Sequence, residues 1–268
     1  MKISTYSTAW SVVSKSFDYK GALDNWFTFS DEVSIAVPNS DTDDSAALIA
    51  AYAKERGYNV VITRTDFALD GSDPFAYGKT ENAALQVCTG ELLCQQNLDE
   101  RMVVSRNRLE ELHQWLQSHP QVKAFWVPTV DLYGSRERCL PQPNKKWYIH
   151  GRGVYRGAWR GGIKADGFPD YNKTSTDEAI TENGDLVSAV PLTYDMSFPV
   201  LKTYVDLGFP LVFHVGYLSF GERLDRSLWW REYWERATSG DKNSHPTSVE
   251  EIAARETVEH GLPLWPTK

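Results

Sequence analysis

The feature that most constrains the fold is the alternation of two hydrophobic periods along the first hundred residues. Short β-prone segments lie at residues 3–9, 32–37, 60–64 and 92–96. Segments with helical spacing of apolar residues lie between them, at residues 17–27, 46–56 and 81–88. This pattern predicts the order β-α-β-α-β-α-β. We therefore expect an α/β fold with an open, mostly parallel sheet and helices on both faces.

The second predicted helix has the clearest boundaries. Asp43 and Asp44 stand where an N-cap and a first-turn acid are favoured, ahead of a run of alanines, and Gly57 follows the last apolar residue. Glycine after a helical pattern is a common stop signal.

The second half of the chain is less regular. We predict helices at 101–118, 198–206 and 222–236, strands at 122–132 and 211–215, and a capping box formed by Thr247 and Glu250. In the helix at 222–236, most of the aromatic stripe is expected to be core. Periodicity is lost from about 134 to 184, where Gly, Arg, Lys, Pro and aromatics accumulate. These aromatics are too frequent for a disordered stretch, so we expect a functional insertion.

Composition narrows the functional class. With 28 Lys and Arg against 36 Asp and Glu, the net charge is −8, which excludes a generic nucleic-acid coat protein. The three cysteines form no C-x-x-C motif, which is typical of reduced thiols. The N-terminus lacks a signal-peptide core, and no apolar run approaches the length of about 18 residues that a membrane span needs. We expect a soluble, cytoplasmic protein without a membrane span.

Polar residues follow the predicted strands at the edge where open α/β sheets bind ligands. They are Asn39, Asp41 and Asp43 after the second strand, Asp66 after the third, and Asn97, Asp99 and Glu100 after the fourth. Clustered carboxylates repel one another unless a cation or hydrogen-bond donors lie between them, so they indicate a hard metal ion or a hydroxyl-rich ligand. The alternative is that each is a cap or turn residue, and for Asp41 and Asp43 the two interpretations stay open.

Two common nucleotide motifs are missing. The turn after the first strand contains no glycine, so the G-x-G-x-x-G loop of dinucleotide-binding enzymes is absent. Gly78-Lys79-Thr80 lacks the preceding strand and correctly spaced glycine of a P-loop. A phosphate-bearing ligand would then be held by a divalent ion and scattered basic groups.

Three segments of the chain resemble motifs of a known family. They are G-K-T-E-N-A-A-L at 78–85, T-G-E-L-L at 89–93 and N-L-D-E at 97–100. The series is similar to the G-K-x-x-N-A-A-L, T-G-D and D-x-D motifs of GT-A glycosyltransferases, especially the family 2-like group, and covers about the first hundred residues. The segment from Asp41 to Ser45 similarly resembles the family's D-G-S-x-D-x-T stretch. Asn97 departs from the pattern, because the family has Asp there.

The resemblance implies transfer of a sugar from a UDP- or GDP-sugar donor to an acceptor hydroxyl, assisted by Mn²⁺ or Mg²⁺. It implies metal ligation by Asp99, with Asn97 coordinating through its weaker amide oxygen and the late His214 completing the site. The alternative for His214 is a packed structural histidine. The residues expected to bind the donor are Thr5, Ser7, Asn39, Asp41, Asp66, Lys79, Asn82, Arg152 and Arg156. On this interpretation residues 1–100 are the nucleotide-sugar-binding half and residues 101–268 the acceptor-binding half of one compact domain.

The insertion supplies the remaining candidates. Its basic residues are interleaved with aromatics such as Tyr148 and His150, which favours a binding surface or a lid over a merely solvated face. An inverting transfer needs a carboxylate base, for which Asp177 is the first choice and Glu178 and Asp195 are rivals. A retaining enzyme needs no such base.

Alternatives to this function remain from the sequence. One is a sugar nucleotidyltransferase, although its glycine-rich loop after the first strand is missing, and another is a catalytically silent sugar- or nucleotide-binding module. The acceptor is a saccharide or a modified base in DNA. Eight of the ten tryptophans lie after residue 100, which places the aromatic excess in the acceptor-binding half.

Overall fold

The computed structural model describes residues 1–66, 76–120, 122–151, 185–189, 196–237 and 247–265. The strands are β1 Ile3–Thr8, β2 Glu32–Pro38, β3 Val60–Thr65, β4 Leu92–Gln95, β5 Glu100–Val103, β6 Val122–Tyr133, β7 Arg138–Cys139, β8 Asn144–Gly151, β9 Asp185–Ser188, β10 Leu211–Tyr217 and β11 Val258–Glu259. The helices are α1 Tyr19–Trp26, α2 Ser45–Arg56, α3 Ala76–Val87, α4 Arg106–Ser118, α5 Phe198–Asp206, α6 Phe220–Ala237 and α7 Val249–Ala253.

The strands join into one mixed sheet. Its main path has the order β11-β7-β6-β8-β4-β1-β2-β3, and β9 and β10 pair with the other side of β6. The neighbours β4, β1, β2 and β3 are parallel, whereas β8 runs antiparallel between β4 and β6. The predicted α/β class and the open, mostly parallel sheet of the first half are confirmed.

Helices cover both faces of the sheet. On one face, apolar side chains of α1, α2 and α4, including Leu23, Ile49 and Leu109, join the same buried cluster as the odd-numbered residues of β2. On the other face α3 contributes Ala84 and Leu85 beside Tyr6 of β1. Because helices cover both faces of the sheet, every residue of β1 and of β2 is buried. The three cysteines are free and buried.

One predicted helix begins later than its hydrophobic pattern indicated. Residues 100–103 form β5, which pairs antiparallel with β10, and the backbone N–H of Met102 donates to Asn25 Oδ1. The helix starts only at Arg106, where Ser105 Oγ accepts from the Arg108 N–H as an N-cap. Sheet pairing with a distant strand therefore overrode the local helical period. In contrast, α3 begins at Ala76, five residues before the predicted start.

The capping predictions were wrong by a few residues. Asp44 is the N-cap of α2, but its φ of 55° is left-handed and its side chain makes no cap hydrogen bond. Asp41 caps instead, because its Oδ2 accepts from the Ser45 N–H at 2.7 Å. At α7 the N-cap is Ser248 rather than Thr247, and Glu251 accepts from the Thr247 N–H. Gly57 ends α2 as predicted, with a positive φ of 70°.

Within the described residues, no helix combines the length and apolar character needed to cross a membrane.

A buried carboxylate ties the amino-terminal edge of the sheet together. Glu32 accepts hydrogen bonds from the Lys2 ammonium at 2.8 Å, from Ser4 Oγ at 2.8 Å, and from both the N–H and Oγ1 of Thr89. Burial by itself raises the pKa of Glu32, but these donors lower it to about 2. A carboxyl with a depressed pKa in the folded state stabilises the fold above its unfolded pKa and loses this contribution as the pH falls.

We expect Glu32→Gln to lower the free energy of unfolding at pH 7 by about 2–3 kcal/mol, because the amide cannot accept from all of these donors. The deficit should shrink as the pH falls from about 4.5 to about 2, where the native carboxylate is protonated as well. Urea denaturation of both proteins across this range measures it. The exposed Glu55→Gln is the control, and a deficit that did not change with pH would contradict the assignment.

Candidate functional site

The candidate site forms where two parts of the sheet meet. After β4 the chain turns through residues 96–99 and reverses into β5, so that Asp99 lies beside β10 and its carbonyl accepts from the Val215 N–H at 2.8 Å. On β10, His214 is in register with Asp131 of the parallel strand β6 and with Glu100 of the antiparallel strand β5. The sheet thus brings together three side chains that are far apart in sequence.

His214 lies between two carboxylates. Its Nδ1 is 2.9 Å from Asp131 Oδ1, and its Nε2 is 3.2 Å from Asp99 Oδ2. Arg226 of α6 reaches the same oxygen of Asp99 at 3.3 Å and donates to the Gly216 carbonyl at 2.9 Å. Each of these four charged side chains is at least five-sixths buried, which strengthens their mutual attraction.

The charged groups of this cluster shift one another's pKa values. Burial lowers the pKa of His214, but Asp99 and Asp131 outweigh it and raise that pKa to about 9. Burial likewise raises the pKa of Asp99, but His214 and Arg226 hold it well below its usual range. The two carboxylates therefore favour the imidazolium form of His214, which would donate to one carboxylate from each ring nitrogen.

The same atoms suit a divalent cation. Two ligands at right angles about 2.1 Å from Mg²⁺ or Mn²⁺ lie about 3 Å apart, close to the separation of Asp99 Oδ2 and His214 Nε2. Asp131 holds Nδ1 in the way that carboxylates orient metal-bound histidines. Metal binding would displace the Nε2 proton. The arrangement fits a metal site with two protein ligands, in which phosphate and water would complete the coordination shell of the ion.

Asn97 does not share that arrangement. Its side-chain Oδ1 accepts from the Tyr77 hydroxyl at 3.2 Å, and its backbone N–H donates to Glu100 Oε2 at 2.8 Å. Asn97 is thus hydrogen-bonded to a residue of α3 and to a residue of β5. Among the described residues, no group of three or more His, Cys, Asp or Glu side chains could hold a metal ion. The coordinating role expected for Asn97 stays a prediction.

Asn39 and Asp66 meet at the carboxyl ends of β2 and β3. Asn39 Nδ2 donates to Asp66 Oδ1, and Arg64 Nε donates to Asn39 Oδ1 at 3.1 Å. All three side chains are exposed. The structure therefore places these two predicted donor-binding residues together on an accessible edge.

Other predicted donor-binding residues serve the fold in the structure. Thr5 is fully buried in the middle of β1, with its hydroxyl 2.6 Å from Ser30 Oγ, and Ser7 is also buried. Asp41 accepts from the Ser11 N–H at 2.6 Å in addition to capping α2. Asp43 accepts from the Val13 and Ser14 N–H groups. Both aspartates thus hold the loop after β1, which agrees with the turn-and-cap interpretation.

Helix α3 carries the G-K-T-E-N motif. Asn82 is buried, and its Nδ2 donates to the Gly78 carbonyl one turn earlier at 2.9 Å. Lys79 is half-buried on the first turns of the same helix. Glu81 is buried and accepts from Gln95 at the end of β4 at 2.8 Å. The motif therefore joins α3 to the strand that leads into the site.

An aromatic cluster borders the site and was not predicted. Trp10, just after β1, lies 5.1 Å from Trp229 of α6, 6.4 Å from Tyr77 and 6.1 Å from Phe17, measured between ring centroids. Of the aromatic stripe expected to be mostly core on α6, Leu228 is 37% exposed and Trp229 is half-buried against Trp10. The side chains of Trp230, Tyr233 and Trp234 lie outside the described part of the structure, so the expectation stays a prediction.

Several predicted residues lie outside the described part of the chain. These are Arg152, Arg156, Asp177, Glu178 and Asp195. His150 lies in the described part and is buried on β8, where its Nε2 is 3.0 Å from the Tyr6 hydroxyl. Burial lowers the pKa of His150 to about 3, so it is neutral. The prediction that His150 contributes to a basic binding surface was therefore wrong.

Sequence reasoning missed Asp131 and Arg226. Asp131 ends the apolar part of a predicted strand, and that position was the available signal. Arg226 stood among several charges on a helix whose apolar stripe was judged to be core. Neither has a local motif, because their roles depend on the pairing of β6 with β10 and on the packing of α6.

The absence of a side chain at Gly216 leaves room for the contact between Asp99 and His214, because a Cβ there would lie 2.9 Å from both Asp99 Oδ2 and His214 Nε2. We expect Gly216→Ala to destabilise the protein by about 1–3 kcal/mol in urea denaturation. Gly221→Ala is the matched control, because a Cβ at that position meets nothing within 4 Å. Equal stability of the two variants would show that the cluster is not packed as described.

No protein-family model and no curated protein sequence matches this chain. The chain is similar in structure to S. aureus TarS 1-349, with 14% identity and a TM-score of 0.42 over 91% of this chain and 74% of that chain. It is similar to the mannosyltransferase PcManGT from Pyrobaculum calidifontis in complex with GDP-Man and Mn²⁺, with 13% identity and a TM-score of 0.45 over 94% and 69% of the chains.

A third similar structure is glucosyl-3-phosphoglycerate synthase from Mycobacterium tuberculosis in complex with Mg²⁺ and UDP. It has 15% identity and a TM-score of 0.37 over 76% of this chain and 75% of that chain. Because every TM-score is below 0.5, these similarities assign neither a substrate nor a residue role.

Proposed function

We propose that this protein is a glycosyltransferase that moves a sugar from a UDP- or GDP-sugar to an acceptor hydroxyl, with the help of Mg²⁺ or Mn²⁺. The observation that carries the proposal is the pair formed by Asp99 and His214, oriented by Asp131, at the carboxyl edge of an open parallel sheet. Ligands of such sheets bind at this edge. The motifs at 78–85 and 97–100 support the same function.

The donor would lie along this edge. Asn39 and Asp66 offer exposed donor and acceptor groups to a base or ribose at one end. Trp10 provides a ring face between them and Asp99, and its cluster with Tyr77 and Trp229 fixes its position. The diphosphate would reach Asp99, His214 and the Arg226 guanidinium. Lys79, together with Arg152 and Arg156, remains a predicted donor contact.

The chemistry requires stabilisation of the departing diphosphate. A divalent ion held by Asp99 and His214 would supply Lewis-acid charge to the phosphate oxygens. Arg226 is fixed between Asp99 and the Gly216 carbonyl, so it adds a positive charge without reorganisation. Asp131 keeps the His214 ring in one orientation. The carboxylate base predicted at Asp177 belongs to an inverting reaction.

A thermal-shift panel of nucleotide sugars with and without Mn²⁺ tests the function directly. We expect one UDP- or GDP-sugar to raise the melting temperature, with a larger rise in Mn²⁺, because ligands that bind only the folded state stabilise it. Adenosine triphosphate and NAD are the controls. Binding of a donor without hydrolysis or transfer would identify a silent binding module, and the absence of any shift would contradict the proposal.

The role of Asp99 is tested by Asp99→Asn, which preserves the shape of the side chain and removes its charge. We expect donor hydrolysis or transfer to fall at least about 100-fold, a loss of about 2.7 kcal/mol in transition-state stabilisation. Asp44→Asn is the matched control, since Asp44 is exposed and asparagine tolerates its left-handed backbone. Unchanged turnover in Asp99→Asn, measured by release of the nucleoside diphosphate, would rule out the metal assignment.

A further inference from the structure

A cavity of about 400 Å³ opens beside Asp99, on the side of α6 and the C-terminal segment. Its walls include Asp99 and Arg226 from the candidate site, together with Arg136, Glu222 and Trp265. This volume lies in the range of small-molecule sites. The exposed pair Asn39 and Asp66 does not line it, so the cavity is distinct from the end of the site proposed for the nucleotide.

Most of the charges in the cavity are already paired. The Arg101 guanidinium is 2.9 Å from Asp18 Oδ2, and Arg226 is 3.3 Å from Asp99 Oδ2. Arg101 also donates to the Leu98 and Glu100 carbonyls, so its hydrogen bonds are used by the protein itself. Among the described residues of the walls, these two pairs leave one cation and one carboxylate for a ligand.

The cation left over is Arg136. Its guanidinium lies 4.4 Å from the centroid of the Trp265 ring, and its Nε is buried without a hydrogen-bond partner in the part of the chain that the structure describes. The ring packs in turn against Phe213 of β10, with centroids 5.6 Å apart. A guanidinium packed over an indole ring can still use its outer N–H groups to bind an anion.

The carboxylate left over is Glu222, in the first turn of α6. It is exposed and forms no ion pair or hydrogen bond with the described residues, and its charge attracts Arg226, which is already paired with Asp99. A carboxylate in such a position accepts hydrogen bonds from hydroxyl groups. The cavity therefore offers an aromatic ring, an anion-binding guanidinium and a hydroxyl acceptor, next to the carboxylate of Asp99.

We infer that this cavity is the acceptor site and that the acceptor is a sugar-sized polyol bearing an anionic group, a phosphate or a carboxylate. Arg136 binds the anionic group, Glu222 binds a hydroxyl, and Asp99 lies at the end of the cavity where the acceptor meets the donor. The inference rests on the proposed transferase function and specifies its acceptor. The described walls carry as many carboxylates as guanidinium groups, so they offer no excess of positive charge to the continuous phosphate backbone of DNA.

The test measures binding of glucose, glucose 6-phosphate and glucuronic acid to the full chain by isothermal titration calorimetry, with Mn²⁺ and whichever of UDP and GDP the protein binds. We expect both anionic sugars to bind at least 10-fold more tightly than glucose. Their comparison shows whether phosphate or carboxylate is preferred. Arg136→Met should abolish the preference, and Arg136→Lys should restore part of it.

Arg138→Met is the matched control, because Arg138 is an exposed neighbour that bonds to Thr257 and does not line the cavity. Melting temperatures check the fold of each variant, and Glu222→Gln, at an exposed position, should weaken all three sugars. An anionic preference that survives Arg136→Met overturns the inference, as does failure of all three sugars to bind. So does tighter binding of a DNA oligonucleotide than of either anionic sugar.

Binding of UDP and of GDP is measured first, without sugar. Failure of the unaltered protein to bind either nucleotide is a failure of the proposed function. Nucleotide binding without the Arg136-dependent preference is a failure of the acceptor assignment alone.

Discussion

The contact between His214 and Asp99 is the constraint on which the site depends. It exists only because β10 lies parallel to β6 and antiparallel to β5, so that a residue from the last third of the chain reaches the turn after β4. Asp131 and Arg226 then neutralise a pair of buried charges that would otherwise be costly to remove from water. The absence of a side chain at Gly216 leaves the space in which these groups approach.

The same contact gives the cluster two ways to satisfy its charges. Without a divalent ion, an imidazolium and a guanidinium balance the carboxylates of Asp99 and Asp131. In the proposed metal-bound state, His214 would give up its Nε2 proton, and Arg226 would remain a cation beside the donor phosphates. Asn97 supplies no negative charge to this balance, and its hydrogen bonds to Tyr77 and Glu100 fix the turn that carries Asp99. Its role in the observed structure is to position that turn.

The first half of the fold could be predicted because its information is local. Hydrophobic period and helix stops located β1 to β4 and α2 within one or two residues, and strand ends pointed to the edge where Asp99 lies. The start of α4 could not be predicted in this way, because residues 100–103 follow a helical pattern until β10 pairs with them. Asp131 and Arg226 were missed for the same reason. Their partners are 83 and 127 residues away, and no spacing in one sequence records such distances.

Charge was the least reliable guide when it was counted along the sequence. For Asp41 and Asp43 the sequence left a ligand role and a cap or turn role open, and each accepts backbone N–H groups of the loop after β1. His150 looked like part of a basic surface, yet burial against Tyr6 keeps it neutral. A charged side chain remains able to bind a ligand only where the protein has not already paired it internally. Among the described residues that line the cavity beside Asp99, the charges that remain are Arg136 and Glu222, one of each sign. This combination favours a ligand with both an anionic group and hydroxyls over a polyanion or a neutral sugar.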